Sequence, residues 1–454
     1  MRPISATRWR NTRRSSRTPR SRSNERECRC AMRVMVLGAG VIGTSCAYYL
    51  AKAGHEVTVV ERCSGPALET SFANAGGICP GFAGPWAAPG IPRKLARWLF
   101  APHAPVVLRP QLDPQQWRWL ARFLRNCGAE RFARNKTRMQ RIAHYSKACL
   151  AELRAETGIA FDHNTGGVLQ LFRTEDELAA AQRSARVLTE FGIAHRIVDV
   201  QEILALEPAL GAAAAKLMGG LHLPADETGD CRKFTVALAE LVQRRGVIFK
   251  FETTITRLLR DGLRIAGVST DHGELDADAY VIALGSAAAR MLQPLGIDLP
   301  IYPVKGYSIT IDIGESVLAP RSAVMDEHYK VLITRLGTRL RAAGVAEIAG
   351  YDLSIPSSGP ATVLRSLREL FPDPANAAAA AGPAATACNA WAGLRPMTPD
   401  GPPYLGATGF TNLFVNVGHG SNGWTQACGC GRVVADVLSG RRPEIDLEGY
   451  GIGR

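Results

Sequence analysis

The sequence predicts a mixed α/β protein, with a parallel sheet in one part of the chain and an antiparallel sheet in another. Residues 33–54 predict an apolar strand, a glycine-rich turn and a helix, which is typical of a buried parallel sheet. Residues 413–438 repeat that order. Residues 296–350 instead alternate apolar and polar side chains, which indicates an antiparallel sheet with one exposed face. The length of 454 residues predicts about two or three domains.

The net charge of +13 is concentrated at the amino terminus. Residues 1–31 contain ten Arg and two acidic residues, so the remainder of the chain carries only +5. Because this stretch lacks apolar periodicity, we expect a disordered extension before a functional chain that begins near Met32. A transit peptide, a twin-arginine signal at Arg13-Arg14 and a nucleic-acid-binding arm are the alternatives. No apolar segment or folded context supports the last two.

The cysteines and one uncharged apolar segment predict neither a metal site nor a membrane span. Eleven Cys are scattered, and Cys428-x-Cys430 is too tightly spaced for a zinc knuckle. We therefore expect reduced thiols. Val34–Ala51 contains no charge over eighteen residues, which is near the lower limit for a transmembrane helix. Its glycines favour a strand, a turn and a helix instead.

The strongest local motif is a dinucleotide fingerprint. The predicted strand Val34–Leu37 is followed by Gly38-x-Gly40-x-x-Gly43 and a helix that ends near Gly54. In this motif the glycines allow a tight turn, a close approach of the backbone to a pyrophosphate, and close packing of helix on strand. The N-terminus of the helix presents free N–H groups and partial positive charge to phosphate. The motif therefore predicts a Rossmann-type domain.

A second strand completes the motif. The predicted strand His55–Val60 is followed by Glu61, which lies 21 residues after Gly40. That spacing places a carboxylate where it accepts hydrogen bonds from the adenosine ribose. FAD and NAD share this fingerprint, so it does not distinguish them. Its position at the start of the domain favours FAD.

The middle of the chain predicts a functional loop and a series of helices and strands. Residues 64–92 are rich in Gly, Pro and Ala, and a loop of this length inside an enzyme is usually functional. Other predicted elements are helices over 114–157, a strand Gly166–Phe172, a helix capped by Thr174, a helix ending at Gly246, a hairpin around Asp261-Gly262 and a buried strand 278–285. The Ala-rich stretch Ala375–Ala387 predicts a loop or short helix without chemistry.

The carboxyl-terminal part predicts a second ligand-facing turn. Gly393-Leu-Arg395-Pro is dense in turn residues and carries a single cation. The strand Leu413–Val417 then leads into Gly418-His-Gly420 and a helix to about Leu438. The N-terminus of that helix can face an anionic or electron-rich group.

These motifs together resemble the small subunits of bacterial D-amino acid dehydrogenases, within the D-amino acid oxidase superfamily of flavoproteins. The resemblance covers the chain from Met32 onward and is carried by VLGAGVIGTSCAYYLAKAGHEVTVVER (36–62), NAGGICPGFAGPWAAPGIP (74–92), LPADETGDC (223–231), PVKGYSITI (303–311), GLRPMTPDGPP (393–403) and GHGSNGWTQACG (418–429). The PWAAPG and ETGDC segments look specific to this group, whereas the first segment is general to flavin and NAD proteins.

The resemblance implies FAD as the cofactor and assigns its contacts. They are expected at Val34, Met35, Val36, Leu37, Gly38, Ala39, Gly40, Val41, Ile42, Gly43, Thr44, Ser45, Cys46, Ala47, Tyr48, Glu61, Arg62, Gly418 and Gly420. The expected domains are an FAD-binding domain from 32–85, 227–292 and 391–447, and a mostly antiparallel substrate domain from 86–226 and 293–390.

The resemblance also implies a reaction and a location. D-Amino acids, D-alanine foremost, are expected to be deaminated to 2-oxo acids and ammonia, with electrons passed to a respiratory quinone or another acceptor. The implied location is the cytoplasmic face of a bacterial inner membrane, as a peripheral protein, or the cytoplasm. No nucleic-acid partner is expected.

Three residues are the candidates for the chemistry of the substrate site. Arg395 is the leading candidate, because a guanidinium binds a carboxylate through two hydrogen bonds. Tyr329 is expected to contact the same carboxylate or to cover the site. His419 is expected near the flavin ring, where it can stabilise the negative charge of the reduced form. Lys305 is a weaker candidate for a contact with the flavin.

Two alternative functions remain open at this point. One is an oxidase that passes electrons from D-amino acids or glycine to O₂, since oxygen access depends on cavities that the sequence does not define. The other is a basic nucleic-acid-associated protein with a vestigial nucleotide-binding fold. Peroxide production and salt-dependent nucleic-acid binding, respectively, are the observations that separate them from the main interpretation.

Overall fold

The computed structural model describes residues 31–98, 104–314, 318–374 and 390–454. The predicted disordered extension, apart from Ala31, and the Ala-rich stretch lie outside the described residues. Residues Ala31–Arg454 form one compact unit.

The strands fall into four sheets. In chain order they are β1 Arg33–Leu37, β2 Glu56–Val60, β3 Gly77–Ile78, β4 Val106–Leu108, β5 Val168–Phe172, β6 Arg196–Val198, β7 Gly219–Leu223, β8 Glu227–Thr228, β9 Ile248–Lys250, β10 Ile255–Asp261, β11 Arg264–Thr270, β12 Gly273–Leu275, β13 Ala279–Ile282, β14 Tyr302–Asp312, β15 Ala323–Asp326, β16 Val331–Leu336, β17 Arg339–Ile348, β18 Ala390–Met397, β19 Tyr404–Ala407 and β20 Leu413–Val417.

The α-helices lie between these strands. They are α1 Val41–Lys52, α2 Ile91–Trp98, α3 Pro114–Arg125, α4 Ala129–Thr157, α5 Glu175–Glu190, α6 Val200–Leu206, α7 Cys231–Arg244, α8 Ala288–Leu292, α9 Ser358–Leu370 and α10 Gly423–Leu438.

The first sheet has six strands in the order β19-β20-β13-β1-β2-β9, and all pairs except β19–β20 are parallel. Its central strand β1 is buried on both faces, as its uninterrupted apolar sequence predicts. On one face, helices α1, α7 and α10 pack in a core that includes Val34 and Val36. On the other face, Met35 and Leu37 contact apolar residues of the β10–β12 sheet. The predicted parallel sheet is confirmed.

The second sheet has nine strands and is mostly antiparallel. Its order is β18-β14-β17-β16-β15-β5-β7-β6, with β4 added alongside β17. Only the β15–β5 and β17–β4 pairs are parallel. The predicted antiparallel sheet over 296–350 is therefore confirmed as β14–β17. The predicted exposed face is wrong, because consecutive residues of these strands are buried and both faces are therefore covered. Helix α9 covers one face through Val363, Leu367 and Leu370.

The turn predicted around Arg395 is wrong, because residues 393–396 lie within strand β18, which belongs to the second sheet. All six strands of the first sheet fall in the segments predicted to form the FAD-binding domain. However, β18 was expected in that domain too, and it pairs with β14 from Tyr302↔Met397 to Ile309↔Ala390. The predicted domain boundaries otherwise stay a prediction.

Several local predictions are confirmed. The side chain of Thr174 caps α5 by accepting a hydrogen bond from the Glu177 N–H. Strands β10 and β11 form the hairpin around Asp261-Gly262. The stretch predicted as helical over 114–157 is two helices, α3 and α4, separated at residues 126–128.

Candidate active site

A cavity of about 1200 Å³ lies among the turn after β1, the end of β2, the face of the second sheet and the turn before α10. The sequence-predicted residues that line it are Gly38, Gly40, Val41, Ile42, Glu61, Arg62, Arg395, His419 and Gly420. The two glycine-rich turns, which are almost 400 residues apart in the chain, therefore reach one space.

The turn after β1 has the backbone that the fingerprint predicts. Gly38 has a φ of +106°, and a Cβ at this position would lie 2.6 Å from the carbonyl oxygen of Ala283. A Cβ on Gly43 would lie 1.9 Å from the carbonyl oxygen of Gly38. Both glycines are therefore needed for the turn itself, and Gly38 and Gly40 also border the cavity. The helix N-terminus behind this turn can bind a pyrophosphate.

Glu61 lies where the ribose-binding acid is expected. Its Oε2 accepts a hydrogen bond from the Ala39 N–H at 2.8 Å, and its Oε1 accepts one from the Cys63 N–H at 2.9 Å. The carboxylate is thus fixed at the edge of the cavity with further acceptor capacity. Arg62 also lines the cavity and pairs with Glu69.

Only part of the predicted span Val34–Tyr48 reaches the cavity, and this is a correction. Gly38, Gly40, Val41 and Ile42 line it. The rest of the span does not line the cavity and is buried in the protein interior: Val34, Met35, Val36, Leu37, Ala39, Gly43, Thr44, Ser45, Cys46, Ala47 and Tyr48. Their role is to hold the turn in place, because α1 packs on α7 and α10.

Ser71 is a residue that the sequence interpretation missed. Its Oγ accepts a hydrogen bond from the Val41 N–H at 3.0 Å. Ser71 therefore caps the first turn of α1, although it lies 30 residues further along the chain. It lies in the loop 64–92, which was predicted to be functional. The loop lines the cavity through Ala67–Ser71 and Ala73–Gly77, among other residues.

Arg395 lies on the wall that the second sheet contributes. Its guanidinium lies across Gly306 on the neighbouring strand, where a Cβ would be only 2.2 Å from Nη1. Trp391 lies four residues before Arg395 on the same strand. Because side chains alternate between the two faces of a strand, the two side chains lie on the same face. The Trp391 ring in turn lies over Gly393, where a Cβ would be 2.0 Å from Cη2. Two glycines opposite one another therefore make room for a cation and an indole.

A β-bulge orients one acceptor towards Arg395. The β14–β17 register shifts between Lys305 and Tyr307, and Val345 there has a φ of +57°. A β-branched residue rarely adopts this conformation, and such strain is common at functional sites. The Val345 carbonyl accepts a hydrogen bond from Arg395 Nη1 at 2.9 Å.

The guanidinium of Arg395 lacks a carboxylate partner among the described residues. Its hydrogen bonds go to the carbonyl oxygens of Lys305, Gly344 and Val345. Burial lowers the pKa of Arg395 to about 10, so the group remains a cation at neutral pH. Although the side chain lies beneath the protein surface, it remains partly accessible from the cavity. A buried cation of this kind favours an anionic ligand.

His419 lines the cavity at the second glycine-rich turn. It is 3% exposed, and burial lowers its pKa to about 3, so the ring is neutral near pH 7. Its Nε2 has no hydrogen-bond partner within the described part of the chain. Gly420 also lines the cavity, whereas Gly418 lies behind it, with a φ of +82° next to Thr398.

The prediction for Tyr329 is wrong. Its hydroxyl donates a hydrogen bond to Glu369 Oε1 at 3.3 Å, and its ring lies 5.0 Å from the guanidinium carbon of Arg173. It belongs to the core under α9 and does not line the cavity. Lys305 is also fully buried, with Nζ bonded to Asp352 and Ser354.

The donor set fits FAD. A glycine turn at a helix N-terminus suits a pyrophosphate, and Glu61 suits the ribose. At the other end, the unpartnered Nε2 of His419 and the N-terminal turn of α10 suit an electron-rich ring. The cavity is long enough to include both turns and still contain Arg395.

Other site classes find no support in the described residues. No group of three or more His, Cys, Asp or Glu side chains there could hold a metal ion. The eight cysteines of these ranges are unpaired. No helix in the same ranges combines the length and the apolar character needed to span a membrane.

Comparisons with known proteins agree with this geometry. Residues 33–437 match the family model of FAD-dependent oxidoreductases. A D-amino acid dehydrogenase of Bradyrhizobium diazoefficiens is 51% identical over 423 residues, which is 93% of this chain and 99% of the relative. D-amino acid dehydrogenase 1 of Mesorhizobium japonicum is 53% identical over 415 residues, 91% of this chain and 97% of the relative.

The solved structures show the same fold at lower identity. Glycine oxidase of Geobacillus kaustophilus superposes with a TM-score of 0.70 over 93% of this chain and 99% of that protein, at 24% identity. This likeness concerns the fold alone. The family match over residues 33–437 shows that the cofactor of this protein is FAD. The chain belongs to the family of FAD-dependent oxidoreductases and, within it, to the D-amino acid dehydrogenases.

Proposed function

We propose that this enzyme oxidises small D-amino acids, D-alanine foremost, to 2-oxo acids and ammonia, and that the electrons pass to a respiratory quinone rather than to O₂. We further propose that it acts as a peripheral protein at the cytoplasmic face of the inner membrane. The names of the relatives support the substrate class. The position of Arg395 supports the binding mode.

The observation that carries the proposal is the buried cation on the cavity wall. Arg395 has only carbonyl partners, and a substrate carboxylate would supply the missing anion. A planar guanidinium held flat by Gly306 fixes the direction from which that carboxylate approaches. Trp391, on the same face, limits the space beside it and suits a small side chain.

The chain's own residues orient the substrate and exclude water. FAD, when bound, supplies the acceptor for the hydride equivalent that leaves the substrate α-carbon. Arg395 holds the carboxylate, so that the α-carbon has a defined position in the cavity. His419 is neutral and presents an unpartnered Nε2. If the amine binds in its neutral form, no side chain has to act as a base, and the imino acid is hydrolysed by water after release.

The test is steady-state kinetics on the purified holoenzyme with D-alanine and a soluble dye as acceptor. We expect Arg395→Leu to raise KM by more than about tenfold, which corresponds to at least about 1.4 kcal/mol of binding. FAD absorbance should be retained. Arg257→Leu, an exposed change on β10 outside the cavity, is the matched control. An unchanged KM in Arg395→Leu would remove the residue from the substrate site.

The same assay separates the two possible acceptors and the two enantiomers. We expect bleaching of the flavin by D-alanine and none by L-alanine. Dye or quinone reduction should greatly exceed peroxide formation. Stoichiometric peroxide would instead identify an oxidase.

A further inference from the structure

The cavity has an apolar arm that a small amino acid does not need. This arm is formed by α2, β4 and α3, through Leu95, Trp98, Val106, Leu120 and Phe123 among other residues. Arg395 already accounts for the carboxylate of a small amino acid, and His419 accounts for the flavin ring. The arm therefore has room for an apolar molecule, and its apolar lining suits one.

The arm opens at the surface beside α3. Trp117 and Leu124 both line the cavity, and they are 50% and 49% exposed. Leu112, just before the helix, is 106% exposed. These are three of the ten large apolar side chains that are exposed in the described ranges, and they lie within 13 residues of one another. Such clustering marks an interaction surface.

The same segment carries the positive charge of the chain beyond residue 31. Residues 86–134 contain nine Arg or Lys and two acidic residues, a net charge of +7. Because residues 32–454 carry only +5, everything outside this segment is slightly acidic. Arg97 on α2 and Arg118 and Arg125 on α3 are exposed.

We propose that this surface, the mouth surface (exposed residues of α2, α3 and Leu112), docks onto an anionic lipid bilayer. Exposed Trp and Leu enter the interfacial region, while Arg and Lys neutralise lipid headgroups. Docking would bring the opening of the apolar arm onto the membrane. This gives an apolar electron acceptor a route into the cavity without crossing water. The assignment of this surface rests on the peripheral membrane location in the proposed function and names the part of the protein that makes the contact. Lipid binding itself requires neither FAD nor substrate.

The first test is cosedimentation of the full-length holoenzyme with vesicles at about 150 mM salt, where distant charges are screened. Vesicles of phosphatidylcholine are compared with vesicles that also contain phosphatidylglycerol. We expect binding only to the anionic vesicles. The variant Arg97→Glu, Arg118→Glu, Arg125→Glu should weaken that binding by at least about tenfold.

A matched control removes the effect of total charge and of the basic amino terminus. Arg244→Glu, Lys250→Glu, Arg257→Glu reverses three exposed cations on α7, β9 and β10, outside the cavity. This variant should bind like the parent. Equal weakening in the two variants would overturn the proposal, because binding would then depend on net charge. Loss of binding to single-stranded DNA in the mouth-surface variant, with vesicle binding unchanged, would assign the surface to nucleic acid instead.

The second test measures the depth of insertion. Vesicles with brominated acyl chains should quench part of the tryptophan fluorescence, and Trp117→Phe should remove that part. Trp424→Phe, a change at a buried indole, should not. Unchanged quenching in Trp117→Phe would overturn the insertion of α3. Dye-linked activity with D-alanine should be the same in both triple variants, so failure of docking is distinguished from failure of the proposed reaction.

Discussion

The positions of the Arg395 and Trp391 side chains depend on glycines in the neighbouring positions of the sheet. Both side chains lie over positions that have no Cβ, Gly306 and Gly393, and these glycines are paired across β14 and β18. The sequence identifies Arg395 because it is a lone cation in a turn-rich motif. Trp391 was missed, although its spacing of two and four residues from Gly393 and Arg395 is that of one strand face. Gly306 could not be found from sequence, because its role depends on a partner 89 residues away.

Gly306→Ala should therefore damage substrate binding without unfolding the protein. The new Cβ would lie 2.2 Å from Arg395 Nη1, so the flexible guanidinium must move. We expect KM for D-alanine to rise by about tenfold, as for loss of the carboxylate contact. Thermal unfolding and FAD content should change little. Gly211→Ala, at a glycine with open space around it, is the control. A KM equal to the parent's would show that Arg395 can shift without loss of function.

Asp226 gives the protein a pH-dependent stability. Burial, the largest cause, and the nearby Glu227 raise the pKa of Asp226 to about 7, although the Gly81 N–H and Lys147 act in the opposite direction. In the unfolded chain its pKa is about 4. Between these values the folded state binds more protons than the unfolded state. Stability conferred by this group is therefore present below about pH 4 and is lost as the pH rises to about 7.

Asp226→Asn should remove the loss of stability with rising pH. In the parent, Asp226 Oδ1 accepts a hydrogen bond from the Gly81 N–H at 3.0 Å, and the amide oxygen of the new Asn side chain can still accept it. We expect a higher Tm than the parent at pH 8 and no advantage at pH 4, with an upper limit of about 4 kcal/mol. Glu240→Gln, at an exposed position on α7, is the control. Parallel pH profiles for Asp226→Asn and the parent would contradict the assignment.

At the scale of elements, the β1–α1–β2 unit follows from sequence because its determinants are local. The buried strand, the glycine spacing and Glu61 lie within 29 residues, and each occupies its predicted place. The prediction extended the cofactor contacts too far, since most of α1 faces α7 and α10. Tyr329 was expected on a strand face, but it lies in the turn between β15 and β16, and its ring packs in the core under α9. Alternation also does not identify which face of a sheet borders a cavity.

Gly43→Ala tests the contact between helix and turn. A Cβ 1.9 Å from the Gly38 carbonyl oxygen cannot be accommodated unless α1 moves away from β1. We expect destabilisation of about 2 kcal/mol or more and loss of most bound FAD. Absorbance at the flavin band and thermal unfolding measure both effects. Gly54→Ala lacks a steric clash but has a φ of +93°, so it should lower Tm while leaving FAD bound.

At the scale of the whole molecule, the cavity is built by both large sheets. The parallel sheet supplies the nucleotide turns, and the antiparallel sheet supplies Arg395. Sequence patterns predicted each sheet separately. They could not predict that β18 crosses from one expected domain to the other, because pairing with β14 is a long-range property.

FAD should therefore contribute to the stability of the entire described unit. A ligand that binds only the folded state at a thousandfold excess over its Kd adds about 4 kcal/mol. We expect the FAD-free protein to unfold at a lower temperature than the holoenzyme, and re-addition of FAD to restore the Tm. The measurement is thermal unfolding followed by circular dichroism. An identical Tm with and without FAD would mean that FAD does not bind preferentially to the folded state.

One backbone contact joins the two ends of the substrate site. Met397, two residues beyond Arg395, forms an isolated β-bridge with His419. Segments exchanged between this enzyme and a relative should therefore be cut outside residues 390–420, so that both partners of the bridge come from the same parent. A chimera joined between Met397 and His419 would combine an anion-binding strand and a flavin-facing turn that did not evolve together.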